Sequence, residues 1–143
     1  MTPSEGTSPA EQLTRDECLA VLSRNDLGRL AVALADGQPD IFPVNYVLDG
    51  DRVVFRSLAG TKLDHAALDR VAFEVDDRNS AGAVSVVVKG VAREITTALD
   101  PESERQRQLE LETPLSGDHW VRIVPSSVTG RRLRGPGATA PGA

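Results

Sequence analysis

The stretch FPVNYVLDGDRVVFRS, residues 42–57, decides the fold of this chain. It consists of two apolar, β-rich segments that are joined by Asp49-Gly50. An Asp-Gly pair in this setting predicts a β-hairpin, because both residues tolerate the positive φ that a tight turn needs. A second pair, Asp36-Gly37, follows LGRLAVAL, so an antiparallel meander of three strands is expected over about 27–57. Pro43 lacks an N–H, which predicts a bulge or an unpaired edge in the middle strand.

The flanking sequence adds a short helix and three more strands. Thr14 and Glu17 have the spacing of a capping box and predict a helix at 15–23. Further strands are predicted at 70–76, at 83–95 with a bend at Gly90, and at 119–133 as a strand pair or one bent strand. Helical spacing and a Pro-led N-terminus predict short helices at 61–69 and 100–112. Six strands without a βαβ rhythm predict a mainly β fold with short α elements, curled into an antiparallel barrel.

The chain of 143 residues has the length of one domain. Residues 1–13 and 135–143 are poor in large apolar side chains and are expected to be disordered tails around a domain at 14–134. The formal net charge of −5 argues against general nucleic-acid binding, which needs an excess of Lys and Arg. No leader-like or membrane-length apolar segment is present, so a cytoplasmic location is expected.

Histidine and cysteine usage predicts no metal site. Cys18 is the single cysteine, and it provides neither a disulfide nor a zinc-binding pair. His65 and His119 are far apart and lack the spacing of a zinc motif.

Two cations and two hydroxyls are gathered at the end of one predicted strand and the start of the next helix. They are Arg56, Ser57, Thr61 and Lys62. A helix N-terminus attracts anions through its free N–H groups, and an Arg fork binds phosphate in two places. The cluster is therefore a candidate phosphate site. The alternative is an ordinary N-cap with solvated charged neighbours.

Five segments, in this order and spacing, resemble the pyridoxamine 5′-phosphate oxidase-like flavoprotein superfamily, in particular its small actinobacterial and nitroimidazole-reductase-like members. The segments are LGRLAV, FPVNYVLDGDRVVFRSLAGTKL, VAFEVDD, SVVVKGVARE and VTGRRL. The resemblance implies a six-stranded antiparallel split β-barrel that forms a homodimer and binds FMN at the subunit interface. By position, Arg56, Ser57, Thr61 and Lys62 look like the phosphate and ribityl contacts, and Val44, Asn45 and Tyr46 would lie along the isoalloxazine ring. Trp120 resembles residues that reach the flavin from the partner subunit.

The resemblance implies an FMN-dependent oxidoreductase that transfers hydride through flavin N5 to a small electrophilic substrate. True pyridoxamine 5′-phosphate oxidase activity is not expected, since Trp120, Arg122, Arg131 and Arg132 do not match the Arg and His set that holds that substrate. Two alternatives stay open. One is a deazaflavin-dependent reductase whose anionic tail uses Arg131 and Arg132, and the other is a non-enzymatic protein that binds flavin or haem.

Overall fold

The computed structural model describes residues 11–57, 69–79, 82–95 and 119–133. These residues form one helix and six strands. Their bounds are α1 Arg15–Ser23, β1 Leu27–Ala33, β2 Pro39–Asp49, β3 Arg52–Ser57, β4 Arg70–Asn79, β5 Gly82–Ile95 and β6 His119–Leu133. The predicted helices at 61–69 and 100–112 lie outside the described residues, apart from Asp69.

The six strands form a closed barrel in the order β1-β2-β3-β6-β5-β4, with antiparallel pairing throughout. The last seam joins β1 to β4 through three residue pairs, from Arg29↔Glu74 to Ala31↔Ala72. The predicted mainly β barrel is therefore confirmed. Among the described residues, no helix has the length and apolar character needed to cross a membrane.

The barrel interior is filled by alternate residues of each strand, because successive side chains of a strand point to opposite faces. The Tyr46 and Phe73 rings meet edge to face there, with their centroids 4.9 Å apart. Helix α1 adds Cys18, Val21 and Leu22 to the same core. Other buried members of this core are Leu30, Val32, Leu48, Val53, Phe55, Val71, Val75, Val86, Val88, Ala92, Val121 and Ile123. The core is aliphatic with a few rings, as the composition requires.

The predicted helix and its capping box are confirmed. The Glu17 N–H donates to Thr14 Oγ1 at 3.1 Å, and the Thr14 N–H donates to Glu17 Oε1 at 2.8 Å. The pKa of the Glu17 carboxyl is lowered, chiefly by this hydrogen bond from the Thr14 backbone. At the other end, the Leu22 carbonyl accepts the Tyr46 hydroxyl at 2.6 Å, and the Val21 carbonyl accepts Asn25 Nδ2 at 2.8 Å. These side chains satisfy carbonyls that a helix end leaves without partners.

Both predicted hairpins are present, but their turns differ from the expected one. In the β2–β3 turn, Asp49 still pairs with Arg52, so the two loop residues are Gly50 and Asp51. Only Gly50 has a positive φ, of 66°, which is the sign pattern of a type II′ turn. In the β1–β2 hairpin, Gly37 has a φ of 87° and ends a three-residue loop that follows Leu34. The sequence pattern predicted a positive φ for both residues of each Asp-Gly pair, but in each turn only the glycine has one.

Pro43 lies in an unbroken register opposite Arg29 of β1. The pairing of β2 with β3 covers only Tyr46 to Asp49. On its other side, the first part of β2 therefore has no strand partner within the described residues. Of the two expectations for Pro43, the unpaired edge is confirmed and the bulge is wrong.

Strand β6 is one long strand, and it carries an irregularity opposite Gly90. Lys89 pairs with Ser127 while Gly90 pairs with Pro125, so Ser126 is an extra residue in β6. Its Oγ donates to the Lys89 carbonyl at 3.0 Å. The sheet is thus irregular opposite Gly90, but the extra residue lies in β6, and the bend of β5 itself stays a prediction. Gln12 and Leu13, which the sequence assigns to the N-terminal tail, also contact β6: Gln12 bridges to Arg131, and the Leu13 N–H donates to the Gly130 carbonyl at 2.8 Å.

Candidate functional site

The candidate site lies on the outer face of the barrel where β2 and β3 separate. Tyr46↔Phe55 is the last pair between these strands, while β3 continues along β6 as Arg56↔Trp120 and Ser57↔His119. Continuing the β2–β3 register by one residue brings Asn45 opposite Arg56. Since paired residues in an antiparallel sheet share a face, Asn45, Arg56 and Trp120 form a row across three strands. We call this row the cleft row.

The backbone of β2 is open beside the cleft row. The Leu34 N–H donates to the Gln38 carbonyl and the Tyr46 N–H to the Asp26 carbonyl, which turns the even-numbered residues of β2 towards β1. Ile41, Pro43 and Asn45 therefore turn their backbone groups towards the opening. The Ile41 N–H is satisfied by Asp40 Oδ1 at 2.8 Å. The Ile41 and Pro43 carbonyls as acceptors and the Asn45 N–H as a donor then face the opening.

The three β2 residues assigned to the flavin ring do not share a face. Asn45 is exposed on the outer face, whereas Tyr46 is buried with an exposed fraction of 1%. Val44 is half-buried and packs against the core. Burial, followed by nearby Asp26 and Asp77, raises the pKa of the Tyr46 hydroxyl. Of the three, only Asn45 offers its backbone and its side chain at this edge, because the Val44 and Tyr46 side chains face the core and their backbone groups face β1.

Arg56 and Trp120 are in contact within one chain. The guanidinium carbon of Arg56 lies 5.0 Å from the centre of the Trp120 ring, a cation–π distance. Trp120 is buried against Val54, with Val47 beside them, in a small apolar cluster separate from the barrel core. This packing holds the Arg56 side chain on the outer face, next to the opening.

The remaining residues of the predicted phosphate cluster are only partly placed. Ser57 ends β3 through its backbone pairing with His119. Thr61 and Lys62 lie outside the described residues. Of the four predicted phosphate residues, the structure brings Arg56 and the Ser57 backbone to the opening.

The two C-terminal arginines have different surroundings. Arg132 Nη2 forms an ion pair with Glu17 Oε2 at 3.2 Å, which ties β6 to the start of α1. Arg131 instead lines a groove of about 480 Å³ over β5 and β6. The groove has apolar walls from Leu13, Val87 and Val128 and a second cation, Lys89. Of the two, Arg131 is therefore the one that lines a groove.

A pair of arginines that the sequence did not connect lies beside the cleft row. Arg93 of β5 and Arg122 of β6 are directly opposite each other. Each alternates with buried residues, Ala92 in β5 and Val121 and Ile123 in β6. This alternation assigns them to the outer face, but their pairing depends on the β5–β6 register, which the Ser126 bulge shifts. Among the described residues, no group of three His, Cys, Asp or Glu side chains is placed to hold a metal ion.

Known proteins share this fold and much of this sequence. The family model for pyridoxamine 5′-phosphate oxidase matches residues 14–132. The FAD-binding protein of Mycobacterium smegmatis is 36% identical, with 86% of this chain and 98% of that chain covered and a TM-score of 0.66. An FAD-binding protein of Mesorhizobium loti is 30% identical, with 85% and 96% covered and a TM-score of 0.69. An uncharacterised protein of Mycobacterium tuberculosis H37Rv is 40% identical over 89 residues, which cover 62% of this chain and 81% of that protein.

The segments that carry the resemblance in the sequence, LGRLAV through VTGRRL, all fall within or beside the matched region. The barrel observed here agrees with the fold that the resemblance implied. The chain belongs to the pyridoxamine 5′-phosphate oxidase family.

Proposed function

We propose that this chain binds a flavin at the opening between β2 and β3, with FMN as the minimal phosphorylated form, and acts as a flavin-dependent oxidoreductase on a small electrophilic substrate. One observation carries the proposal: the cleft row places a cation, Arg56, next to an open stretch of β2 backbone. A flavin has matching chemistry, since its pyrimidine edge has alternating hydrogen-bond donors and acceptors and its chain ends in a phosphate.

The residues fit this cofactor group by group. The Pro43 carbonyl and the Asn45 N–H suit the ring edge, because an acceptor and a donor lie side by side on an open strand. Arg56 suits the phosphate, because a guanidinium gives two parallel hydrogen bonds to phosphate oxygens. Ser57, Thr61 and Lys62 are proposed to complete the phosphate contacts, as the resemblance implies. The two relatives that bind FAD support a flavin here.

When bound, a flavin supplies hydride transfer at its N5 position. The role of the chain is then to bind and orient. Arg56 holds the phosphate and Trp120 holds the Arg56 guanidinium in place. Pro43 and Asn45 fix the ring edge, while the buried Tyr46 keeps β2 rigid beneath it.

We also propose that a second copy of the chain completes the site, as the resemblance implies. The opening between β2 and β3 leaves one face of a bound ring without cover from the described residues. The surfaces proposed to contact the partner are the groove over β5 and β6, with Lys89 and Arg131 at its rim, and the exposed apolar face of β1 and β2 around Ile41. The homodimer would enclose the flavin and keep water from it.

Titration with FMN tests the proposal. Hydrogen bonds to charged groups contribute roughly 1.5–3 kcal/mol, so Arg56→Ala and Lys62→Ala are each expected to weaken FMN binding about tenfold to a hundredfold. Riboflavin lacks the phosphate, so its weaker binding should be almost unaffected by either change. Flavin fluorescence gives the affinities, and Arg78→Ala, at an exposed position of β4, the strand opposite β3 in the ring, is the charge-matched control.

If both substitutions leave the FMN affinity unchanged, the phosphate assignment is wrong. A Soret band on reconstitution with haem and no flavin uptake would favour the haem-binding alternative. Binding of a deazaflavin coenzyme but not FMN would favour the deazaflavin-dependent reductase. Tight flavin binding without reduction by NADH or NADPH, and without oxidation of the chemically reduced flavin by quinone or nitroaromatic electrophiles, would favour a non-enzymatic flavin-binding protein.

A further inference from the structure

Arg93 and Arg122 place two positive charges directly opposite each other on neighbouring strands. Like charges in this position destabilise a sheet. Neither guanidinium forms an ion pair with another described residue. The Nε of Arg122 is buried and has no hydrogen-bond partner among the described residues. A buried donor without an acceptor is destabilising, and an anion between the two guanidinium groups would relieve both the missing hydrogen bond and the like-charge contact.

The arginine pair lies one step from the proposed phosphate residue. Arg122 is two residues beyond Trp120 on β6, on the same outer face, and its partner Val54 is two residues before Arg56 on β3. Such diagonal neighbours have Cβ atoms about 7–8 Å apart, within the joint reach of two arginine side chains. One ligand with two adjoining anionic groups can therefore contact Arg56 and Arg122 together.

We propose that Arg93 and Arg122 bind a second anionic group of the flavin cofactor, beyond the phosphate held by Arg56, so that the chain prefers FAD to FMN. This inference rests on the proposed flavin site. The cofactor then crosses the outer face in strand order: the ring at the edge of β2, the first phosphate at β3 and the second between β6 and β5. Adjacent strands are about 4.8 Å apart, so the two phosphates need no long spacer.

The next outward pair along β5 and β6 is apolar. Val91 pairs with Val124, and Val124 is a large apolar side chain with an exposed fraction of 42%. An adenine attached to the second phosphate would reach this surface and remove it from water. FMN offers neither the second charge nor the base.

Affinity measurements with FAD, FMN and riboflavin test the inference on the full chain. Wild type is expected to bind FAD at least about tenfold more tightly than FMN. Arg93→Gln and Arg122→Gln should each weaken FAD about tenfold and leave FMN within a factor of two. Arg78→Gln removes the same charge from an exposed position of β4, opposite Ala83 and far along β5 from Arg93, and should change neither affinity.

The possible outcomes distinguish a failure of the second anion site from a failure of the flavin site itself. Equal affinity of wild type for FMN and FAD, or equal losses for both ligands in the Arg93→Gln variant, would overturn the inference and leave the flavin site standing. No binding of any flavin to wild type would overturn the proposed function itself. Because Arg93 is exposed, its variant stays informative if Arg122→Gln fails to fold.

The same variants can also be titrated with a deazaflavin coenzyme, which has an anionic tail. Tenfold weakening of this ligand in the Arg93 and Arg122 variants, with FAD no tighter than FMN, would keep the anion site and overturn its assignment to a second phosphate.

Discussion

Tyr46 joins the helix to the barrel through one hydrogen bond. Its hydroxyl donates to the Leu22 carbonyl at 2.6 Å, and its ring packs on Phe73 inside the barrel. Its neighbour Asn45 faces outward beside the proposed flavin. One residue therefore anchors the strand to the core while its neighbour faces solvent.

Replacing Tyr46 with Phe should lower stability and spare cofactor binding. The substitution keeps the ring and removes the hydroxyl, which leaves a helix-end carbonyl without its partner. We expect the free energy of unfolding to fall by about 1–2 kcal/mol in urea denaturation. Flavin affinity should stay within a factor of two. A large loss of affinity in a folded Tyr46→Phe protein would show that the hydroxyl, and not only the backbone, serves the site.

Gly90 marks the tightest approach between strands β5 and β6. A Cβ at this position would lie 2.1 Å from the Val124 carbonyl oxygen and 2.9 Å from Pro125 Cα. Both are backbone atoms, which cannot rotate away. The close approach exists because the Ser126 bulge presses β6 against β5 at this point.

We therefore expect Gly90→Ala to destabilise the barrel by about 3 kcal/mol, the upper part of the usual range for overpacked cores. Ser126→Ala, which removes only the hydrogen bond to the Lys89 carbonyl, should cost about 1 kcal/mol. Thermal unfolding followed by circular dichroism compares the two variants. If both variants lose the same small amount of stability, the two strands can move apart at the bulge and the close approach at Gly90 is not a rigid constraint.

Helix α1 is tied to the barrel by three ion pairs. Arg24 Nε contacts Asp77 Oδ2 of β4 at 2.6 Å, Arg15 contacts Asp51 at 2.9 Å, and Glu17 contacts Arg132 at 3.2 Å. The hydrogen bond from the Arg24 side chain holds the pKa of the Asp77 carboxyl below its ordinary value, with help from Asn25. The charged form of Asp77 is thus favoured by folding.

This shift predicts how stability depends on pH. A carboxyl whose pKa is lower in the folded state contributes stability above its unfolded pKa, about 3.9, and loses it as the pH falls through the lower folded value. Asp77→Asn should therefore cost up to about 1 kcal/mol at pH 7 and almost nothing near pH 2. Urea denaturation from pH 2 to pH 7 measures the difference. In an Arg24→Gln background the cost at pH 7 should shrink, and a cost independent of pH would contradict the assignment.

At the scale of the whole molecule, the outer face of β1 and β2 exposes large apolar side chains. Leu27 and Ile41 have exposed fractions of 56% and 62%. Pro43 lies between them in the register and borders the opening of the proposed site. Apolar surface of this kind marks interaction sites more often than ordinary solvent-facing sheet.

We expect the chain to be a homodimer, with a mass in light scattering of twice 15.3 kDa. Ile41→Lys should shift the protein towards the monomer and weaken flavin binding together, because the partner is proposed to complete the site. Ala35→Lys in the first hairpin loop is the control, since it adds the same charge at an exposed position outside the sheet face. A wild-type monomer at micromolar concentration would contradict the proposed dimer.

The strands themselves could be predicted because their information is local. Asp-Gly turns, the alternation around Val53 and Phe55 and the Thr14–Glu17 box each act within a few residues. The inward orientation of Tyr46 could also be predicted, because Tyr46 is an even number of residues from the apolar Phe42 and Leu48 and therefore lies on the same face of β2. The contact between β3 and β6 was not, because no local pattern links Arg56 to Trp120. The Arg93–Arg122 pair further depends on the extra residue in β6, which shifts the register by one.

The place of β6 in the ring has a consequence for how the protein is made. Among the six described strands this one is synthesised last, yet it lies between β3 and β5 and pairs with both. Until position 133 has emerged, the nascent chain has two strands with unpaired edges, a form that associates readily with other chains. Closure also waits for distant contacts such as Ser57↔His119, which form slowly. A chain truncated before residue 119 is therefore expected to accumulate as insoluble material instead of as a soluble protein with a weakened site.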